Sequence, residues 1–292
     1  MRALYSLLIG ALVLLSACST TPREEYTSEA DLYQAAQEQL ERQQWEPAIR
    51  NLRALEEHFP FGTHAEQSQL ELIYAYHRSN QPDLVAVTAD RFIRLHPQHR
   101  NVDYAYYMKG LSSFTEGKGM FERVMPTDLT QRDPGAARES LAHFSQLLAR
   151  FPDSEYAPDA KKRMLYLRNV LARYEIHVAN YYFKRGAFVA ATNRGRFVLE
   201  NFNGTPAVPD ALAVMVQGYE LLGMPELRDQ TLEILQLNYP EHPALGANGE
   251  FNFQHHSDTG SRSWLSLVTF GLFDKREAPG FDSREIYNPE YQ

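Results

Sequence analysis

Five times along the chain, a stretch with helical hydrophobic spacing closes on a bulky residue and then a helix breaker. This recurrence constrains the fold more tightly than any other feature. The closures are Glu57-His58-Phe59-Pro60, Arg94-Leu95-His96-Pro97, Ala149-Arg150-Phe151-Pro152 and Leu237-Asn238-Tyr239-Pro240, with Glu200-Asn201-Phe202-Asn203 as a degenerate member. Proline lacks an N–H and restricts the residue before it, so each helix stops there. The closing positions 60, 97, 152, 203 and 240 are separated by 37, 55, 51 and 37 residues. These intervals lie near the roughly 34-residue tetratricopeptide period, lengthened by insertions.

The small and large positions of that repeat are filled. Ala48, Leu52 and Leu55 precede Pro60; Leu72, Tyr76 and Phe92 precede Pro97; Met215, Tyr219, Leu232 and Leu235 precede Pro240. Small residues let neighbouring helices approach and large ones fill the seam. The expected fold class is therefore all-α: a tetratricopeptide-type helix-pair solenoid of about five repeats, with an irregular C-terminal tail. The pairs cover about Glu29 to Phe61, Thr63 to Pro97, Val102 to Phe151, Tyr156 to Phe202 and Val208 to Tyr239. Turns within pairs are expected near Gln44 to Pro47, Asn80 to Asp83, Gly186, and Leu222 to Pro225. The third pair carries an insertion from Glu116 to Asp133, after which Asp133 as N-cap and Pro134 as first helical residue start its second helix. Repeats 1 and 2 occupy 29–101, repeats 3 to 5 occupy 102–243, and the tail occupies 244–292.

The first 17 residues read differently. Met1-Arg2 is a short positive start, Ala3 to Ala17 is mostly apolar, and the run ends in Leu15-Ser16-Ala17-Cys18. Fifteen apolar residues are short of the about 20 needed to span a bilayer, and they suit a secretory signal peptide over 1–17. The ending resembles a bacterial lipobox, which implies that Cys18 is lipidated and moors the chain to outer membrane lipid. Residues 18–28 then form a polar tether. Cys18 is the single cysteine, so the fold has no intramolecular disulfide and rests on packing.

Chemistry is sparse. Gly117-Lys118-Gly119 lacks the strand, spacing and Ser/Thr of a phosphate loop. His255-His256 makes a weak metal case, and adjacent acidic residues such as Glu56-Glu57 point to different sides of a helix. No catalytic residue, metal or cofactor is expected, and a net charge of −8 argues against nucleic acid as a partner. Binding surface remains. The groove-facing side of the first helices would carry Tyr33, Leu70, Tyr74, His77, Arg78, Tyr104 and Tyr107, suited to peptide ends through aromatic area and a carboxylate-binding arginine. The competing reading packs these tyrosines between repeats. In the tail, Trp264 to Phe273 is an apolar island, either docking on a partner or membrane or packed on the last repeat.

The lipobox, the five repeats and several runs together resemble the BamD family, the competence lipoproteins of the outer-membrane β-barrel assembly machinery. These runs are Leu72 to Tyr76, Asp90 to Pro97, Asp103 to Leu111, Arg132 to Pro134 and Tyr181 to Arg194. The resemblance covers about Cys18 to Pro240. It implies a non-enzymatic, lipid-anchored scaffold on the periplasmic face of the outer membrane. Such a scaffold binds BamA and other lipoproteins of the complex and helps recognise unfolded outer membrane β-barrel proteins. It further implies a BamA contact around Arg185, Asn193 and Arg194, and a substrate-peptide groove at the N-terminal repeats. A pilotin-like tetratricopeptide lipoprotein for pilus or secretin assembly is the alternative, and a wall-modifying hydrolase is disfavoured by the lack of a catalytic constellation.

Overall fold

The computed structural model describes residues 28–116, 133–253 and 280–287. The described chain is helical: α1 (Glu29–Glu41), α2 (Trp45–His58), α3 (Ala65–Arg78), α4 (Pro82–Leu95), α5 (Val102–Glu116), α6 (Gly135–Arg150), α7 (Ala157–Lys184), α8 (Phe188–Asn201), α9 (Val208–Leu221), α10 (Pro225–Asn238) and the short α11 (Arg284–Tyr287). Helices α1 to α10 fall where the five pairs are expected. The only β pairing among the described residues is an isolated bridge between Leu245 and Phe251. The signal peptide, Cys18, the Gly117-Lys118-Gly119 stretch, His255-His256 and the Trp264 to Phe273 island lie outside the described residues.

The closing motif makes the same local structure each time. Phe59, His96, Phe151, Phe202 and Tyr239 each leave the helical conformation, with φ between −125° and −138°. Their N–H groups still donate to the carbonyls of Leu55, Phe92, Leu147, Val198 and Leu235. Those five acceptor residues are all 0% exposed, so every repeat ends one turn after its deepest side chain. Two further turns follow in register: Gly62 N–H to Phe59 and Ala65 to Gly62, His99 to His96 and Val102 to His99, and likewise 151–154–157, 202–205–208 and 239–242–245. Asn203 replaces proline without altering this geometry. The last connection leads into the tail at Leu245 in place of another helix.

The turns inside the pairs need a left-handed residue. Gln43 (φ 58°), Asn80 (φ 59°), Gly186 (φ 71°) and Gly223 (φ 69°) supply it. A Cβ at Gly186 would meet no atom within 4 Å, so Gly186→Ala is expected to cost about 1 kcal/mol of unfolding free energy through the backbone alone. Gly186→Asn is expected to cost clearly less, because Asn tolerates this region. Urea unfolding followed by circular dichroism checks the order of the three.

One helix start differs from expectation. Pro134 itself occupies the N-cap of α6, one position earlier than the expected first helical place. Asp133 still serves the helix end, accepting from the Gly135 N–H at 3.0 Å, because a carboxylate two residues back reaches that orphan donor. Ser28, assigned to the tether, instead caps α1 by accepting from Asp31 N at 3.2 Å.

The chain divides into two compact units between Ser79 and Asn80. In the first, α2 packs against α1 and α3, around Leu32, Ala36, Ala48, Leu52, Leu55, Leu72 and Ile73. In the second, each helix from α4 to α10 packs on the next, and the 28-residue α7 also reaches α9. Helix α9 is buried from Val208 through Tyr219. Its approach to α8 is close enough that a Cβ on Gly195 would lie 2.7 Å from the Ala211 carbonyl oxygen. The tail contributes to this core: Ala244 and Phe281 are 0% exposed and Phe251 is buried with them.

Candidate functional site

Helix periodicity brings Tyr74 and Arg78 onto one face of α3, one turn apart. Arg78 Nη1 donates to the Tyr74 hydroxyl at 2.9 Å. Its guanidinium sits 4.7 Å from the centre of the Trp45 ring and 5.7 Å from that of Tyr74, and the two rings meet edge to face at 5.9 Å. Tyr74 and Arg78 are exposed. Among the described residues Arg78 has no carboxylate partner. The three side chains thus form a cationic aromatic platform, with Trp45 half-buried and Tyr74 and Arg78 open to solvent, able to hold an aromatic side chain and a carboxylate together. Trp45 was not among the sequence candidates, because it reads as part of the Gln44 to Pro47 turn; the structure makes it the first residue of α2.

Tyr33 plays another part. Its hydroxyl donates to Glu71 Oε1 at 3.0 Å, and its ring lies 4.2 Å from that of His64. Gln37 and Gln67 also donate to Glu71, at 2.6 and 2.9 Å. Burial, with Glu71 adding to it, pushes the Tyr33 phenol up to about 12, so it stays a donor. His77 is half-buried. Leu70 is buried, 5% exposed, and belongs to the core of the first unit, because α3 turns that side toward its packed neighbours.

Tyr104 and Tyr107 lie in the second compact unit, so the structure divides the expected groove residues into two groups. Tyr107 stacks on Tyr156 at 4.8 Å and donates to Asp159 Oδ2 at 2.6 Å, an oxygen that also accepts from Arg163 Nε. Burial raises the Tyr107 phenol and the Asp159 bond raises it further. Burial works against the Asp159 carboxylate, but the Tyr107 and Arg163 donors outweigh it and hold the group below its ordinary value. Tyr104 packs 5.7 Å from the Tyr156 ring. These two tyrosines join α5 to α7, which is the packed reading, and the Tyr107 hydroxyl is committed within the chain.

Of the expected partner contact, Asn193 is exposed and Arg185 Nε donates to the Tyr181 hydroxyl at 3.0 Å on the surface. Arg194 is different. Its Nη1 donates at 2.8 Å to Oε2 of Glu175, whose side chain is 2% exposed. Arg138 Nη2 reaches the other oxygen at 3.3 Å. Arg194 is thus an internal counter-ion, and an acidic partner would have to compete with Glu175 for it.

A second polar centre escaped the sequence. Asp210, 0% exposed, accepts from Arg173 Nη1 and from the Ser283 N–H at 2.9 Å, and His242 Nε2 lies 3.0 Å away. His242 Nδ1 accepts from the Ala244 N–H at 3.2 Å, which leaves Nε2 to carry the ring proton to Asp210. Burial alone would raise the Asp210 carboxyl; Arg173, His242 and the Ser283 N–H together hold it well below the ordinary range. Asp210 follows Pro209 in the first turn of α9, a position that carries no local sign of burial. No cluster of three or more His, Cys, Asp or Glu among the described residues could hold a metal ion, and none of the described helices is long and apolar enough to cross a membrane.

Helix pairs with repeated turn-and-closure geometry define a tetratricopeptide-type repeat protein. The model of the YfiO family, described as outer membrane lipoprotein, matches residues 25–235, and the chain belongs to that family. It is 38% identical over 238 residues to the outer membrane protein assembly factor BamD of Neisseria meningitidis serogroup A, spanning 79% of this chain and 89% of that protein. It is 36% identical over 237 residues to the BamD of Vibrio cholerae, spanning 80% and 98%. With the BamD of Xylella fastidiosa it shares 35% identity over 249 residues, spanning 83% and 84%.

Proposed function

We propose that this chain is a lipid-anchored assembly factor for outer membrane β-barrel proteins and that it acts by binding, without catalysis. The observation that carries the reading is the relationship over about four-fifths of the chain to proteins named as outer membrane protein assembly factors. Acylation of Cys18 moors it to the periplasmic face of the outer membrane, since several acyl chains hold a protein where one does not. The exposed platform of Trp45, Tyr74 and Arg78 takes segments of unfolded barrel substrates. Arg185 and Asn193, exposed near the α7–α8 turn, lie on the contact with BamA, and other lipoproteins of the complex bind elsewhere on the repeats.

Isolation of the intact lipidated chain from solubilised membranes is expected to bring BamA with it. Recovery of a secretin in place of BamA would replace this reading with a pilotin function. A photocrosslinker at Tyr74 should capture C-terminal peptides of barrel proteins, and labelling confined to residues away from Trp45 and Arg78 would remove the platform from substrate binding. Cys18→Ser is expected to move the chain out of the outer-membrane fraction; retention there would contradict the anchor.

A further inference from the structure

The segment 280–287 lies outside the family match, which ends at residue 235, and it is separated from the nearest preceding described residue, Phe253, by 26 residues. It nevertheless meets the second unit in a specific way. The Asn180 side chain holds the Phe281 main chain on both sides, Oδ1 accepting its N–H at 3.0 Å and Nδ2 donating to its carbonyl at 2.9 Å. Two residues on, the Ser283 N–H donates to the buried Asp210. The Phe281 ring is fully buried, 6.2 Å from Phe183 and 6.1 Å from Phe251. Asp282 between them is held by Arg284 of the same segment, Nη2 at 2.7 Å, and its Oδ1 also lies 3.4 Å from Arg173 Nη1.

This is the pattern by which a protein reads an extended peptide. Main-chain groups are fixed by side chains of the receptor, one side chain enters an apolar seat, and the next meets a charge. The main-chain groups of any buried segment need partners, but here both groups of Phe281 are met by the one side chain of Asn180, 101 residues away, as a receptor side chain meets a bound peptide. With the segment in place Arg173 and Asp210 are buried, at 6% and 0% exposure, so it contacts the interior of α7 and α9 and not a loose surface.

We infer that the surface of α7 and α9 around Asn180, Arg173 and Asp210 is a recognition site for an extended peptide carrying an aromatic residue followed by a carboxylate, occupied in cis by the chain's own Phe281-Asp282-Ser283 segment. Covalent linkage gives that segment a high effective concentration, so a peptide in trans gains entry only when the tail is cut free or outcompeted. This site is independent of the platform on the first unit and of any role in membrane assembly.

The test uses the full chain with a specific protease site inserted after Gly260. After cleavage, the fragment bearing 280–287 should co-elute with the body on gel filtration. A fluorescein-labelled peptide covering Ala278 to Tyr287 should then exchange into the cleaved chain, raising anisotropy, and should bind the uncut chain at least tenfold more weakly. Phe281→Ala or Asp282→Lys in the labelled peptide should each weaken binding tenfold or more, and Asn180→Ala in the body should weaken it with the helical signal retained. Fragment release from a body that stays helical but takes up no peptide would overturn the inference. So would collapse of the helical signal once the fragment is removed, which would make the segment part of the core, and so would equal binding of the Phe281→Ala peptide.

Discussion

Asp210→Ala is expected to destabilise the second unit by about 3–5 kcal/mol, the range found when one partner is taken from a buried ion pair. The substitution leaves the Arg173 guanidinium, 7% exposed in its side chain, with only the more distant Asp282 as a counter-charge, and leaves the His242 ring proton and the Ser283 N–H without their acceptor. Asp210→Asn should be nearly as costly, since it keeps the shape and loses the charge that balances Arg173. Urea unfolding at neutral pH measures both. The acid dependence has a defined sign: the folded-state carboxyl lies below the ordinary 3.8, so its contribution is complete above that value and is lost as pH falls below it. The carboxylate's share of the stability gap between the native chain and Asp210→Asn should therefore be full above the ordinary carboxylate range and narrow below pH 4. A gap that persists undiminished into acid would show that geometry, and not the charge, holds this centre together.

Arg194→Glu is expected to cost about 2 kcal/mol, below the buried-pair range because the Arg194 side chain is 38% exposed and Arg138 remains 3.3 Å from Glu175. The new carboxylate would face a Glu175 that is almost wholly out of solvent, while its own position is 38% exposed, so solvent screens part of the repulsion. Arg194→Met should be milder, removing one of two counter-ions without adding repulsion. A thermal melt of the three chains checks this order; equal melting temperatures for the native chain and Arg194→Glu would mean that Glu175 does not depend on Arg194. Loss of BamA co-purification by Arg194→Glu would then reflect instability as much as contact. Arg185→Glu tests the contact more cleanly, because Arg185 is exposed and bonds only the surface Tyr181 hydroxyl among the described residues. It should reduce BamA recovery with unfolding unchanged.

The repeats were legible because their signals are local. Each helix end depends on a bulky residue, the breaker after it and the buried residue four places before it, all within one turn of chain. Even Asn203, without the constraint of proline, follows the pattern, since Val198 at the deep position keeps the register. The turn residues Gly186 and Gly223 were legible for the same reason, whereas Gln43 gives no composition signal for its left-handed backbone. The tyrosines show where such reasoning stops. Periodicity places Tyr74 and Tyr107 at comparable faces of their helices, yet Tyr74 meets solvent beside Arg78 and Tyr107 meets Asp159, 52 positions along the chain. Leu70 was mistaken for groove lining because periodicity marks a face without saying what covers it. The Asp210 centre was invisible for the same reason: its partners are 37, 32 and 73 residues away.

The order of amino acids alone therefore determined the helices, their ends and their pairing rhythm, because backbone hydrogen bonds and breakers act over about four residues. Only the tertiary structure decided which charges are buried, which aromatic rings stay exposed and where the tail docks. A buried charge is tolerated only beside a partner, and here those partners come from distant parts of the chain that no local pattern ties together.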